Sequence, residues 1–244
     1  MSTASVIIIG NEILSGRTRD TNLSWLATEL NALGIRLREA RVIPDIPAAI
    51  ITTVNAMRAT YDYVFTTGGI GPTHDDITSQ CIAQAFGVKY TLHPAAHALL
   101  LGHYGMEKLN EARLRMCTMP EGAMLIPNAI SIAPGFSMEN VYVMAGIPRV
   151  MQSMFGEIRH TLKGGAPMLS ETVSAFVAEG TIARALSDLQ SAYQDVEIGS
   201  YPFERAGRYG TSLVARHENQ ARLAQVRAKL LKLVSEAGGE LTEE

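Results

Sequence analysis

The sequence predicts an α/β protein: a three-layer α/β/α domain around a mostly parallel sheet, followed by a small α+β domain. Three observations carry this reading. Short apolar runs alternate with stretches of helical periodicity through residues 1–165, as parallel strands buried on both faces and their crossover helices require. The segment "KGGAPM" (residues 163–168) then breaks every pattern. Beyond it, over residues 166–244, the order changes to β-α-β-β-α.

Each element has its own signal. "SVIII" at residues 5–9 reads as a strand buried on both faces. Asp20 or Thr21 can cap a helix in which Leu23, Leu26, Leu30 and Leu33 recur at helical spacing, and Gly34 ends it. Residues 35–43 read as a second strand, followed by a helix with Pro47 in its first turn. Residues 63–67 form a third strand that runs into "TTGGIGPTHDDIT" (residues 66–78), and a helix over about 76–86 is stopped by Gly87. Helical stretches follow near 94–104 and 107–117. "SIAPGF" and "VYVMAG" then flank residues 137–140 as a hairpin, and a helix from Pro148 closes the domain. In the second domain the pattern predicts a strand at 172–177, a helix at 181–193, strands at 196–201 and 211–217, and a helix at 219–237. The apolar stripe of this last helix (Leu223, Val226, Leu230, Leu233, Ala237) is expected to pack on its own sheet.

Composition narrows the function. The net charge is −3, with 13 basic and 13 acidic residues in 1–165 and 8 against 11 in 166–244. Neither part is a basic module, so a nucleic-acid binder driven by phosphate neutralisation is not expected. The longest apolar runs are far too short to span a bilayer and the amino terminus lacks signal-peptide features, so a cytoplasmic protein without membrane association is expected. Cys81 and Cys117 belong to no CxxC pattern and sit among apolar neighbours, which predicts buried, reduced thiols.

Three polar clusters stand at the predicted carboxyl ends of strands: "GNEILSG" (residues 10–16), Pro44–Asp45, and the glycine-rich loop. In an open α/β sheet these ends meet in one ligand crevice. That makes Asn11, Glu12, Ser15, Asp45, Gly68, Gly69, Gly71, Asp75, Asp76 and Thr78 one candidate site. The loop is no Walker A motif, because Pro72 and Thr73 follow Gly71. Nor is it a dinucleotide fingerprint, because His74 takes the third glycine slot. Its glycines still let backbone N–H groups approach a phosphate at a helix amino terminus. Asp75 and Asp76 could cap that helix, but one carboxylate suffices for a cap. A pair beside a phosphate makes chemical sense if a divalent metal lies between them. His74 could contact phosphate, act as an acid, or fill the turn. His93 and His97 lack the glutamate of an HExxH site, and His93 is read as a helix boundary. "GRYG" (residues 207–210) mimics the GxxG clamp of RNA-binding KH domains but falls between predicted strands, as part of a hairpin turn.

"GNEILSGRTRDTN", "TTGGIGPTHDDIT", "PNAISIAPGF" and "GIPRVM" together resemble the molybdopterin-binding (MoaB/MogA-like) domain family, in the form found at the amino end of CinA proteins. "IGSYPF" and "GTSLVARH" resemble the small KH-type domain that follows there. The amidase domain of CinA has no counterpart in these residues, so deamidase activity is not expected. The resemblance implies binding of a nucleotide or pterin phosphate, and metal-dependent hydrolysis of diphosphates such as ADP-ribose or FAD. Magnesium, manganese or cobalt would serve, with potassium as a further ion. It implies phosphate binding by Gly68–Gly71, flanked by Gly10, Thr67, Pro72 and Thr73. Asp45 and Asp76 would be catalytic together with Glu12, and Asp75 would join Asp45 and Asp76 at the metal. Gly135 and Pro148 would mark the later ligand-side loops, and the assembly would be a homo-oligomer, dimer or trimer. Two departures stand out: Asn11 replaces the family's more frequent aspartate, and Ser131 replaces a usual glycine. A pyrophosphatase, a transferase that adenylylates molybdopterin or processes the product, and a binding module without turnover are the three functions compatible with these residues.

Overall fold

Strand β1 (Thr3–Ile9) shows why the first apolar run belongs in a sheet covered on both sides. Its Ile7 and Ile9 join one core cluster, while Ala4, Val6 and Ile8 join another on the opposite face. The structure, a computed structural model, describes residues 2–242. The chain divides into two compact units, one up to Gly165 and one from Ala166.

After β1 the first unit runs through a single-turn helix α1 (Asn11–Leu14), α2 (Asn22–Ala32), β2 (Arg36–Ile43), α3 (Pro47–Arg58), β3 (Tyr63–Thr67), α4 (Thr78–Phe86), β4 (Tyr90–Leu92), α5 (Pro94–Tyr104) and α6 (Glu111–Arg115). It continues with β5 (Thr118–Pro120), β6 (Met124–Ile126), β7 (Gly135–Met138), β8 (Val141–Met144) and α7 (Pro148–Ile158). The six-stranded sheet has the order β2-β1-β3-β8-β7-β6. Strands β2, β1, β3 and β8 pair in parallel, and β7 pairs antiparallel to both β8 and β6. Ile50, Val54 and Met57 of α3, Ile82 of α4 and Leu100 of α5 cover one face; Leu26 and Leu30 of α2 and Met154 and Phe155 of α7 cover the other. This is the three-layer, mostly parallel architecture the alternation predicts.

Local chemistry sets the helix starts. The Asp20 carboxylate accepts the N–H of Leu23 at 2.9 Å, so Asp20 rather than Thr21 caps α2. Prolines open α3, α5 and α7, where a missing N–H costs nothing. His93 caps α5, its Nδ1 accepting the N–H of Ala96. The helix expected over 107–117 shrinks to α6, because residues 106–108 form a 3-10 turn and Asn110 caps the helix only there, its side chain accepting the N–H of Arg113.

The second unit contains β9 (Leu169–Phe176), α8 (Glu179–Ala192), β10 (Glu197–Arg205), β11 (Arg208–His217), α9 (Gln220–Glu236) and β12 (Glu240–Leu241). Its antiparallel sheet has the order β10-β11-β9-β12, a split β-α-β topology in which the short β12 extends the expected β-α-β-β-α. Leu223, Val226, Leu230 and Leu233 of α9 pack with Val173, Ala175, Leu213 and Ala215 of the sheet, as the stripe predicts. Between β10 and β11, Ala206 and Gly207 both have positive φ (51° and 75°), the two-residue turn that suits a twisted hairpin. "GRYG" therefore begins in a hairpin turn and does not join two helices as an RNA clamp would. Among the described residues no helix is long and apolar enough to cross a membrane.

Candidate functional site

Three chain reversals meet at the carboxyl ends of β1, β3 and β8. Gly68 and Gly69, directly after β3, have φ of +102° and +69°, where side chains are strained. Space forbids side chains as well: a Cβ on Gly68 would lie 2.2 Å from the Ile9 carbonyl oxygen, and one on Gly69 2.1 Å from the Thr78 hydroxyl. Buried Thr78 ties the loop down twice, its hydroxyl donating to the Gly68 carbonyl and its N–H to the Gly69 carbonyl, each at 3.0 Å. From the β8 side, Gly146 packs so closely that its Cβ would sit 3.3 Å from the Gly68 Cα. The Asn22 side chain donates to the Gly146 carbonyl at 2.8 Å and holds that reversal in place.

These reversals surround a cavity of about 510 Å³. Of the residues singled out in the sequence, Glu12, Gly68, Gly69, Gly71, Pro72, Asp76 and Pro148 form its wall. Others stand behind it. The N–H of Gly10 donates to the Ile43 carbonyl, the N–H of Asn11 donates to the Asp45 carboxylate at 2.8 Å, and the Ser15 hydroxyl donates to the Glu12 carbonyl. Asp45 thus pins the start of α1 to the end of β2. Thr67 is buried in β3 opposite Met144 of β8. Gly135 is buried in β7, where a Cβ would meet the Val143 carbonyl oxygen at 2.5 Å; it permits close packing behind Met154.

The aspartate pair does not cap α4. That helix starts at Thr78, and its cap position, Ile77, makes no side-chain cap bond. Asp76 instead folds back on its own loop, its Oδ2 accepting the N–H of Thr73 at 2.8 Å and the Thr73 hydroxyl. Asp75 is exposed. The His74 ring is 95% exposed, with Nδ1 3.9 Å from Asp75. The expected metal set of Asp45, Asp75 and Asp76 does not converge. Asp45 is turned to Asn11 and Asp75 to solvent, and no group of three His, Cys, Asp or Glu side chains forms a metal cage among the described residues. Glu12 and Asp76 are the acidic pair that faces the cavity.

The opposite wall was not foreseen from sequence. It consists of Met116, Asn128 and Ala133, then Ile147, Val150 and Met154, with Ile70 and Thr18 near the loop. Asn128 spends its whole amide on the chain around it. Nδ2 donates to the Ser131 hydroxyl and the Ala133 carbonyl, and Oδ1 accepts the N–H groups of Ile130 and Ser131. Ser131 also stands on this wall. Two sequence signals belong to this side: "PNAISIAPGF", which contains Asn128, Ser131 and Ala133, and "GIPRVM", where Ile147 lies 66% exposed beside a helix-opening proline. The cavity thus combines the acidic Glu12 and Asp76 and the glycine loop with apolar groups, Met116, Ile147, Val150 and Met154 among them.

Residues 5–164 match the family described as "Probable molybdopterin binding domain", and residues 167–239 match the one described as "FAD synthase, middle domain". A protein of Pyrobaculum calidifontis is 34% identical over 213 residues, covering 83% of this chain and 81% of its own length. A "Probable FAD synthase" of Caenorhabditis elegans is 30% identical over 261 residues; the match covers 96% of this chain but 50% of that relative. Among solved structures, the protein CinA of Thermoplasma acidophilum, described as of unknown function, superposes with a TM-score of 0.63 at 30% identity. That match covers 66% of this chain and 97% of the other. The chain belongs to the molybdopterin-binding (MoaB/MogA-like) domain family.

Proposed function

We propose that the first unit binds a nucleotide diphosphate by its phosphates and hydrolyses the anhydride with the help of a divalent cation. One observation carries this reading: the glycine loop, the acidic pair Glu12 and Asp76, and an apolar wall share one cavity of about 510 Å³. The relatedness to FAD synthases in the second unit supports a nucleotide ligand.

The backbone N–H groups of Gly69, Ile70 and Gly71 would receive phosphate oxygens, since that of Gly68 is already given to the Met144 carbonyl. Glu12 and Asp76 are too few for a cage made of protein alone. They fit an ion that brings phosphate oxygens and water as its other ligands, the usual way magnesium is held. Thr73 occupies Oδ2 of Asp76, which fixes the carboxylate and leaves Oδ1 for the ion. When bound, the ion offsets the charge that develops on the anhydride. The apolar wall of Ile147, Val150 and Met154 would take the ring and exclude water from that side.

The family match favours a pterin phosphate as the second reading, since the same loop and slot would serve it. The test is a screen of the purified chain against ADP-ribose, FAD and NADH with magnesium, manganese and cobalt. Release of mononucleotides that requires one of the ions supports the proposal. Absence of turnover together with tight binding of a pterin phosphate would favour the second reading.

A further inference from the structure

The glycine loop also carries a cation. Arg115, the last residue of α6, is exposed, and its Nη1 donates to the carbonyl of Thr73 at 2.9 Å. Thr73 is thereby held at three points, its N–H and hydroxyl by Asp76 and its carbonyl by Arg115. The contact stands at the margin of the cavity: Pro72 and Met116, the neighbours of Thr73 and Arg115 in sequence, line the wall, whereas Thr73 and Arg115 themselves do not. Arg58, Arg159, Arg216 and Arg222 each sit on a carboxylate, whereas Arg115 has none within ion-pair distance among the described residues. A guanidinium offers five N–H donors, so most of those of Arg115 are unspent. The helix dipole gives no sufficient reason for a cation here, since α6 has only five residues.

An arginine whose position is fixed by a loop carbonyl, and whose charge is uncompensated, is preorganised for an anion; its planar fork suits phosphate oxygens. The arrangement also answers an electrostatic problem. Glu12 and Asp76 repel a diphosphate, and a fixed positive group at the same loop lowers that penalty before any metal arrives. We propose that Arg115 is a phosphate-binding residue of this site, with Nη1 remaining on Thr73 while its free donors take a phosphate oxygen of the ligand. This rests on the reading of the first unit as a diphosphate site.

Binding, rather than turnover, tests it. Inorganic pyrophosphate and ADP are titrated calorimetrically into the full chain, Arg115→Gln and Arg115→Lys, each at low and high salt. Arg115→Gln removes the charge and, being shorter, also the reach of Nη1 to the Thr73 carbonyl; Arg115→Lys keeps the charge on a longer stem. The expected result is an affinity loss of about tenfold or more in Arg115→Gln, the scale of one charge-assisted phosphate contact. Its salt dependence should be shallower, its melting temperature unchanged, and Arg115→Lys should recover part of the loss. Equal affinity in Arg115→Gln and parent would overturn the assignment and leave the diphosphate reading standing. So would equal losses in both variants with the parental salt dependence, since these would mark a purely structural role. A parent that binds neither pyrophosphate nor ADP would overturn both.

Discussion

Replacing Gly69 by alanine tests whether the loop geometry is as tight as the structure makes it. Two costs act at once. With φ at +69°, any side chain strains the backbone by about 1–2 kcal/mol. The new Cβ would also lie 2.1 Å from the Thr78 hydroxyl oxygen and 3.2 Å from its Cβ. Thr78 is buried, so moving its hydroxyl breaks the bond to the Gly68 carbonyl without water to replace it, a loss of about 1–3 kcal/mol. The expected destabilisation is therefore about 2–5 kcal/mol. Gly87 supplies the control, since its φ is +67° but nothing stands within 4 Å of its Cβ position; Gly87→Ala should cost only the backbone share. Urea unfolding followed by the fluorescence of Trp25, the single tryptophan, reports on the first unit, where that ring packs edge-on against Phe155 at 5.4 Å. Gly69→Ala combined with Thr78→Ala should destabilise by less than the sum of the two single changes, since both lose the same Thr78–Gly68 bond. If Gly69→Ala and Gly87→Ala destabilise equally, the steric argument for this loop fails.

Phe65→Ala should destabilise the first unit by about 3–5 kcal/mol, because this fully buried ring packs on Tyr142 of the neighbouring strand and Phe155 of α7; the same urea titration measures it. Hydrogen bonds from Arg222 hold Asp195 down to about 2 in the folded second unit. Its folded value lies below its unfolded one, so its contribution is present at neutral pH and disappears as pH falls from about 4 towards 2. Asp195→Asn should flatten that acid limb in a pH series of melting temperatures, and an unchanged slope would remove Asp195 from the account. Burial pushes the Cys81 thiol up to about 11 and raises that of Cys117, so a thiol reagent at pH 8 should react with neither until urea unfolds the chain. Fast reaction of either thiol in the folded chain would contradict this.

The fold was legible where physics writes long patterns. Strands β1 and β3 are buried on both faces, so "SVIII" and "YVFTT" stand out as apolar runs, and the helices between them keep a clean period. The three-residue strands β4, β5 and β6 were invisible, because three residues carry no periodicity and β5 ends in a proline. From its own residues the site was legible on the glycine side, and Pro148 and Ser131 were reached only through the family resemblance. Gly68 and Gly69 had to be glycine for backbone reasons that sequence can express, whereas Met116, Ala133 and Met154 read like any core residues. The aspartates show a subtler limit. Their position before a helix suggested a cap, but the bond from Thr73 to Asp76 joins side chain to loop three residues earlier, a competition that composition does not decide. Asp45 looked like a site carboxylate because it ends a strand, yet it serves the backbone of Asn11.

The most direct test of the account is metal-dependent hydrolysis of ADP-ribose by the parent chain and by Asp76→Asn, measured side by side. Asparagine can still accept the Thr73 N–H through its amide oxygen, so the melting temperature should move little. Its side chain no longer carries the charge that would hold a cation against the phosphates. The account expects turnover by the parent only with a divalent ion present, and a fall of about 100-fold or more in Asp76→Asn. An Asp76→Asn chain that hydrolyses ADP-ribose at the parental rate, with the same metal requirement, would contradict it.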